Sequence, residues 1–292
     1  MLKPFVIHEP QTVQEASALL SEYGWEAALY AGGTELLVVM REGLAAYPHL
    51  INIKTVPGLN NIDWIASSGI MRFGAVVTHR AIEISPLVAA HTPLLAQVES
   101  MVANLRVRAA GTLGGNLCFA EPHSDPATLL TAWPGATLEL TSTTGSRLVT
   151  PEEFFIDLFM TDRRDNEVMT AINLPELADD VAGAYQKFTV LERPSVTVAI
   201  FTETTGNVIK SARIAAGCVG PVPRRAIEAE ALLVGETSSD ELYKAVGEAT
   251  ARAVDPVSDI YGSIEYKRHL VGVLTARALA EALTGHKGYK NK

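Results

Sequence analysis

Apolar positions recur at helical spacing in some stretches of this chain and alternate in others, so helices and strands are both expected. Residues 12–24 read as a helix: Thr12-Val13-Gln14-Glu15 has the form of a capping box, Leu19 and Leu20 mark the buried side, and Gly24 is a stop. Residues 27–31 are a short apolar segment, residues 36–40 open a helix that closes near Gly43, and residues 50–53 read as a strand. These make a first α/β unit, 1–57. A second unit, 58–176, has a strand at 70–73, a helix at 94–104, a hairpin of 137–141 with 147–149 turning at Thr144-Gly145, and a strand at 168–174 ended by Pro175. Residues 177–180 link to a third unit, 177–292, with strands at 185–190, 195–201 and 208–218. Two helices finish it, one at 239–253 and one from a cap at Ser263 to a stop at Gly285. In the last, Tyr266, Leu270, Val273, Leu274 and Ala278 fall on one face; residues 286–292 read as a frayed tail.

Two glycine stretches about 80 residues apart interrupt this pattern: Tyr30-Ala31-Gly32-Gly33-Thr34-Glu35-Leu36-Leu37 and Gly111-Thr112-Leu113-Gly114-Gly115-Asn116. Paired glycines let a backbone approach a ligand closely, because no Cβ intervenes. N–H groups exposed at such a turn suit a phosphate. Two loops of this kind suggest a pyrophosphate gripped from both sides, and hence a dinucleotide. Neither loop is GxGxxG or GxxxxGK[ST], so a Rossmann domain and a P-loop are both unsupported.

Composition narrows the field. The chain has 292 residues, 48% of them hydrophobic and 20% charged, which is ordinary for a globular protein. A net charge of −9 argues against a nucleic-acid partner, which calls for a basic footprint. No apolar run is long enough for a membrane span. The two cysteines, Cys118 and Cys218, cannot by themselves hold an iron–sulfur cluster, and free thiols point to the cytoplasm.

With these motifs in this order, nearly the whole chain resembles the FAD-binding medium subunits of the molybdenum hydroxylases, the family of carbon monoxide, xanthine, quinoline and aldehyde dehydrogenases. Residues 31–37 resemble the first flavin loop of that family and residues 108–116 its second. Ser124-Asp125-Pro126 lies at its Ser-Asp motif, residues 217–224 with Pro221 and Pro223 at its Pro-x-Arg segment, and Glu265-Tyr266-Lys267-Arg268 at its Tyr-Arg motif. The resemblance implies an α+β protein. A two-subdomain FAD-binding domain of the PCMH, or vanillyl-alcohol-oxidase-like, type is followed by a C-terminal α+β domain.

It also implies a site. Leu29, Tyr30, Ala31, Gly32, Gly33, Thr34, Glu35 and Leu36, with Thr112, Leu113, Gly114, Gly115 and Asn116, would hold the pyrophosphate and ribityl chain of FAD. Asp125 would accept from a cofactor hydroxyl, Met169 would pack near the ring, and Lys187 would approach the polar edge of the flavin. No histidine lies in either loop, which argues for non-covalent FAD. Each of these side chains also has a plain structural reading: Asp125 as a helix cap, Lys187 as a surface lysine and Met169 as packing. Arg108 could line the cofactor or an inter-subunit face or form a surface salt bridge, and Cys118 reads as packing before redox chemistry. His123-Ser124-Asp125 invites a metal or triad reading, but no second histidine is near in sequence.

The chain departs from the family pattern at Ala109, where many relatives carry Asn. Residues 191–196 lack an Asp–aromatic pair found near the flavin in several relatives. Two cysteines exclude the extra four-cysteine loop of the 4-hydroxybenzoyl-CoA reductases. The resemblance therefore implies an electron-transfer subunit, an oxidoreductase component working with a large molybdopterin subunit and a small [2Fe-2S] subunit. The assembly would be a heterotrimer or a dimer of heterotrimers. Two rivals remain open at this point: a stand-alone FAD-dependent enzyme resembling the UDP-N-acetylenolpyruvylglucosamine reductases, and a scaffold subunit that has lost its flavin.

Overall fold

Three principal sheets follow one another along the chain in the computed structural model, which describes residues 2–190 and 192–284. The first is parallel and three-stranded, with His49–Asn52 between Val6–His8 and Ala27–Tyr30. Its central strand buries Leu50 and Ile51, and the helix Val13–Tyr23 closes over it through Ala16 and Leu20. Thr12 caps that helix by accepting from the Glu15 N–H, while the Glu15 carboxylate reaches back to the N–H of Gln11 instead of Thr12. Gly24 ends it at φ 52°. The strand Val6–His8 gave no sequence signal because it is an edge whose Val6 and Ile7 stay exposed.

The second sheet is antiparallel, in the order Ile62–Ile65, Ile70–Gly74, Val168–Pro175, Thr137–Ser142, Gly145–Val149. The expected hairpin is present. The strand Val168–Pro175 sits at the centre and is buried along most of its length. Six short helices precede the hairpin, where the sequence suggested one. They are His79–Ile84, Pro86–His91, Pro93–Ser100, Leu105–Ala110, Leu113–Phe119 and Asp125–Ala132. Each has at most two turns, too few to establish a period. Asn104, expected to lie inside a helix, instead caps the next one by accepting from the N–H groups of Arg106 and Val107.

The third sheet, Val181–Thr189, Pro194–Thr205, Val208–Gly217 and Arg224–Arg225, is antiparallel and used on both faces. On Pro194–Thr205, Val196, Val198 and Ile200 pack under the helices Asp240–Ala253 and Ile264–Thr284. Their neighbours Ala199 and Phe201 join the core of the second unit instead. This is the period-2 alternation of a strand with two buried faces. The helix Asp125–Ala132, buried at every residue, packs against the inner face.

The last helix corrects the expected stripe. Its buried side runs through Lys267, Leu270, Val271, Leu274, Thr275, Ala278 and Leu279, whereas Tyr266 is 43% exposed and Val273 only half-buried. Lys267 belongs to the buried side because its Nζ donates to Asp259 Oδ2 at 2.6 Å. The expected stop at Gly285 and the tail lie outside the described residues.

Gly217 marks the contact between the inner face and the buried helix: a Cβ there would stand 1.9 Å from Thr128 Oγ1. Gly217→Ala is therefore expected to destabilise the chain by about 1–3 kcal/mol, measured as a lower urea midpoint at unchanged slope.

Candidate functional site

The edge strand Ala27–Tyr30 runs directly into the first glycine loop. Among the described residues, no protein acceptor takes the backbone N–H groups of Gly32, Gly33, Thr34, Glu35 or Leu36; the first pairing of this region is Leu37 N–H to the Gly33 carbonyl at 3.1 Å. Gly33 holds φ at +71°, and a Cβ on it would meet the Tyr30 ring at 2.5 Å. The loop thus presents a run of unpaired donors on one wall of a cavity of about 610 Å³.

The second loop differs from the sequence expectation. Its amides are already used: Leu113 N–H binds the Val77 carbonyl, Gly114 N–H that of Ala75, and Asn116 N–H that of Thr112. Gly115 N–H goes to Thr112 Oγ1 at 3.1 Å, so Thr112 is the N-cap of the helix Leu113–Phe119. What this loop offers the cavity is side-chain chemistry. The Thr112 hydroxyl proton is uncommitted to that cap, and the Asn116 amide nitrogen is free because its Oδ1 accepts from Ser124 Oγ at 2.5 Å. Glycines of both loops serve packing as well. A Cβ on Gly32 would lie 2.3 Å from the Ala110 carbonyl oxygen, and one on Gly114 would lie 2.6 Å from Ala75 Cβ.

Of the residues expected at the site, Leu29, Ala31, Gly32, Gly33, Thr34, Glu35, Leu36, Thr112, Gly114, Gly115, Asn116, Asp125 and Met169 line this one cavity. Tyr30, Leu113 and Lys187 do not. Tyr30 lies under the loop with Lys54 Nζ 4.2 Å from its ring centre, and Leu113 is wholly buried in the core. Lys187 stands behind Asp125, giving Nζ to Asp125 Oδ2 and to the Met101 carbonyl, both at 2.8 Å. Tyr185, two residues earlier on the same strand face, donates its hydroxyl to Asp125 Oδ1 at 2.8 Å.

Asp125 is therefore no helix cap; Ser124 caps that helix, accepting from the Ala127 N–H. Burial pushes the Asp125 carboxyl up, against the downward pull of Lys187 and Tyr185. Burial likewise pushes the Cys118 thiol up to about 11, which leaves it a packing group 4.0 Å from the sulfur of Met169. Arg108 is tied to Glu83 and the Val102 carbonyl, away from the cavity wall.

Sequence reasoning missed a set of charged residues, of which Arg193, Glu121 and His123 line the same cavity. Arg193 bridges Glu35 of the first loop (3.0 Å) and Glu121 (2.7 Å). Glu121 holds His123 Nδ1 at 2.8 Å, and His123 Nε2 stands 3.4 Å from Asp259, the partner of Lys267. Burial alone would raise Glu121, but the bond from His123 and the charge of Arg193 hold its carboxyl below the ordinary range. Asp259 is held low in the same sense: burial opposes, and Lys267 prevails. A second missed pair, His79 with the fully buried Glu99 at 2.5 Å, braces the second loop, since the His79 N–H also binds the Gly111 carbonyl. The only sequence signal for these residues is the charge pattern of Glu192-Arg193 and Glu121-Pro122-His123, which any surface turn shares. His123-Ser124-Asp125 forms neither a triad nor a metal site, and among the described residues no cluster suits a metal ion.

Two family models match the chain. One, described as the FAD binding domain in molybdopterin dehydrogenase, covers residues 3–177; the other, the CO dehydrogenase flavoprotein C-terminal domain, covers residues 192–282. The carbon monoxide dehydrogenase medium chain of Hydrogenophaga pseudoflava is 33% identical over 97% of this chain and 98% of its own. The nicotine 6-hydroxylase medium subunit of Paenarthrobacter nicotinovorans is 33% identical over 94% and 95%. Among solved structures, carbon monoxide dehydrogenase from Hydrogenophaga pseudoflava superposes with a TM-score of 0.94 at 32% identity, covering 97% of this chain and 99% of that one. Quinoline 2-oxidoreductase from Pseudomonas putida 86 gives 0.91 at 28% identity, covering 98% and 99%.

Two outcomes follow from the geometry. Gly32→Ala forces the loops apart at Ala110 and is expected to weaken ligand binding in the cavity by roughly tenfold to a hundredfold, read by equilibrium dialysis with FAD. The depressed carboxyls of Glu121 and Asp259 contribute stability above their unfolded pKa that is lost as pH falls through their lower folded values. Acid titration followed by circular dichroism should therefore show loss of stability below about pH 4, with a shallower slope in Arg193→Met.

Proposed function

This chain belongs to the molybdenum hydroxylase family as an FAD-binding medium subunit, and we propose that it carries a non-covalent FAD between its two glycine loops and relays electrons for a larger complex. In this reading a small partner subunit holds [2Fe-2S] clusters and a large one holds molybdopterin. The three chains form a heterotrimer able to pair into a dimer of heterotrimers. The relatives' names, medium chain and medium subunit, support an assembly of unlike chains. The reading includes domain limits of 1–57, 58–176 and 177–292. It also includes a cytoplasmic setting, which suits two unpaired thiols.

The observation that carries the proposal is the run of five unpaired amides from Gly32 to Leu36 on the cavity wall. Buried or half-buried donors left without an acceptor cost free energy unless a ligand supplies one. A pyrophosphate is an acceptor of the right kind and charge. Glu35 would repel it, but its carboxylate is already paired with Arg193. The Thr34 and Thr112 hydroxyls and the Asn116 amide add donors for phosphate or ribityl oxygens. Asp125 keeps lone pairs beyond the two it gives Tyr185 and Lys187, so it accepts from a ligand hydroxyl at the cavity wall. Lys187 acts through Asp125, fixing that carboxylate in place. Met169 and Cys118 supply an apolar, polarisable surface beside it.

FAD bound here would accept and release electrons singly or in pairs, which suits a subunit standing between one-electron clusters and an external acceptor. The protein's part is to hold the cofactor, exclude water from one side of it and set the charge around it. The organic substrate would be handled on another chain.

The test is affinity purification of this chain from its native host with a visible spectrum of the eluate. The expected result is a flavin band with iron–sulfur shoulders, two co-eluting chains, and flavin released by denaturation alone. A yellow protein eluting by itself would overturn the subunit reading in favour of a stand-alone flavoenzyme. A colourless protein that still brings down partners would leave only the scaffold.

A further inference from the structure

We propose that Trp25 and Tyr47 form an aromatic clamp for the adenine of the bound dinucleotide; the inference rests on the FAD reading above. Trp25 lines the cavity yet is 83% exposed, unlike Trp133, which is 1% exposed, and Trp64, which stacks on His91 at 3.9 Å. Among the described residues, neither Trp25 nor Tyr47 has a ring partner. An indole held in water at the mouth of a cavity is a large flat apolar surface with nothing on it.

The topology brings the two residues to one end of the first sheet. Trp25 lies in the 3-10 turn Gly24–Glu26 and Tyr47 in the loop before His49; Ala27 pairs with His49 in parallel, so both residues precede neighbouring strands at the same end of that sheet. Both line the cavity. The glycine loop lies at the other end of Ala27–Tyr30, roughly 13 Å away at about 3.3 Å per residue. With the pyrophosphate at the unpaired amides, one nucleoside reaches toward this aromatic end, and the other half of the molecule lies toward Asp125, Cys118 and Met169.

The wall between the two ends also fits a purine. Ala27–Tyr30 is an edge strand, and Ala27, Ala28 and Leu29 line the cavity along its open side. An open strand edge carries unpaired N–H and C=O groups, the complement of a purine's donor and acceptor edge. The two alanines leave that edge unobstructed. Stacking between a base and an aromatic side chain then adds affinity without requiring any further polar group.

The test uses the full chain freed of flavin and titrated with FAD, with ADP, and with FMN, which lacks the adenylate half. FAD and ADP should each quench tryptophan emission in the wild type, and Trp25→Phe should abolish that ADP-dependent change. Trp25→Ala should weaken FAD about tenfold, with FMN affinity unchanged and Trp25→Phe restoring most of the loss. Because the side chain is exposed, Trp25→Ala should melt with the wild type, which separates binding from folding. Wild-type FAD affinity in Trp25→Ala, or equal loss for FAD and FMN, would overturn the clamp while the flavin site stands. A wild-type chain that binds neither FAD nor FMN would overturn the flavin reading and the clamp together.

Discussion

Contact between two backbones, at Gly32 against Ala110 and Gly111, is the constraint on which the rest of this structure depends. The Cβ of any other residue at 32 would fall 2.3 Å from the Ala110 oxygen. The first sheet therefore reaches the helices of the second unit only because position 32 has no side chain. Closing that distance builds the cavity between the two loops. It also explains a division of labour: the second loop spends its amides on Val77, Ala75 and its own helix start and becomes a rigid wall, while the first loop keeps its amides for a ligand. Rigidity on one side and unpaired donors on the other is the arrangement expected of preorganised anion recognition.

The third sheet completes the cavity through a buried ion pair. Lys187 and Tyr185 share one strand face, and both bind Asp125 at the start of the buried helix. Taking a carboxylate and an ammonium out of water is expensive, and the attraction between them repays the cost only when the remaining lone pairs and protons are satisfied. Here the ammonium also reaches the Met101 carbonyl, and the carboxylate takes the tyrosine hydroxyl. Removing one partner would leave a buried charge behind, so the pair fixes how the sheet sits on the helix. Thr128 and Thr197, hydrogen-bonded at 2.8 Å beside Gly217, set the same contact a turn further along.

Charges spread the effect of this docking to the cavity rim. From Glu35 through Arg193 and Glu121 to His123, and from Asp259 to Lys267, paired groups run between the first glycine loop and the last helix, with His123 Nε2 3.4 Å from Asp259 between them. Individual half-exposed pairs are weak. Shared partners link them, with the Glu121 and Asp259 carboxyls both held below the ordinary carboxylate pKa. The loop at Arg193 belongs to the C-terminal unit and yet lines the cavity, so the C-terminal unit shapes a cavity whose glycine loops lie far upstream.

Much of this was legible in the chain itself. The two glycine loops, the strand that enters the first of them, the hairpin, the central strand ending at Pro175 and the two-helix finish all carry local signals: turn residues, caps and periodicity act over a few positions. Those loops together with the C-terminal motifs also carried the family resemblance. Tertiary structure alone decided which amides stay free, because a hydrogen-bond partner such as Ala75 or Val77 lies far from Gly114 and Leu113 in sequence. It decided that Lys187 faces Asp125 and not the cavity, and that Lys267 rather than Tyr266 lies on the buried side of the last helix, since a charged residue is buried where a carboxylate from another element meets it. It also put Trp25 and Tyr47 on the lining of one cavity, a grouping invisible to any local pattern.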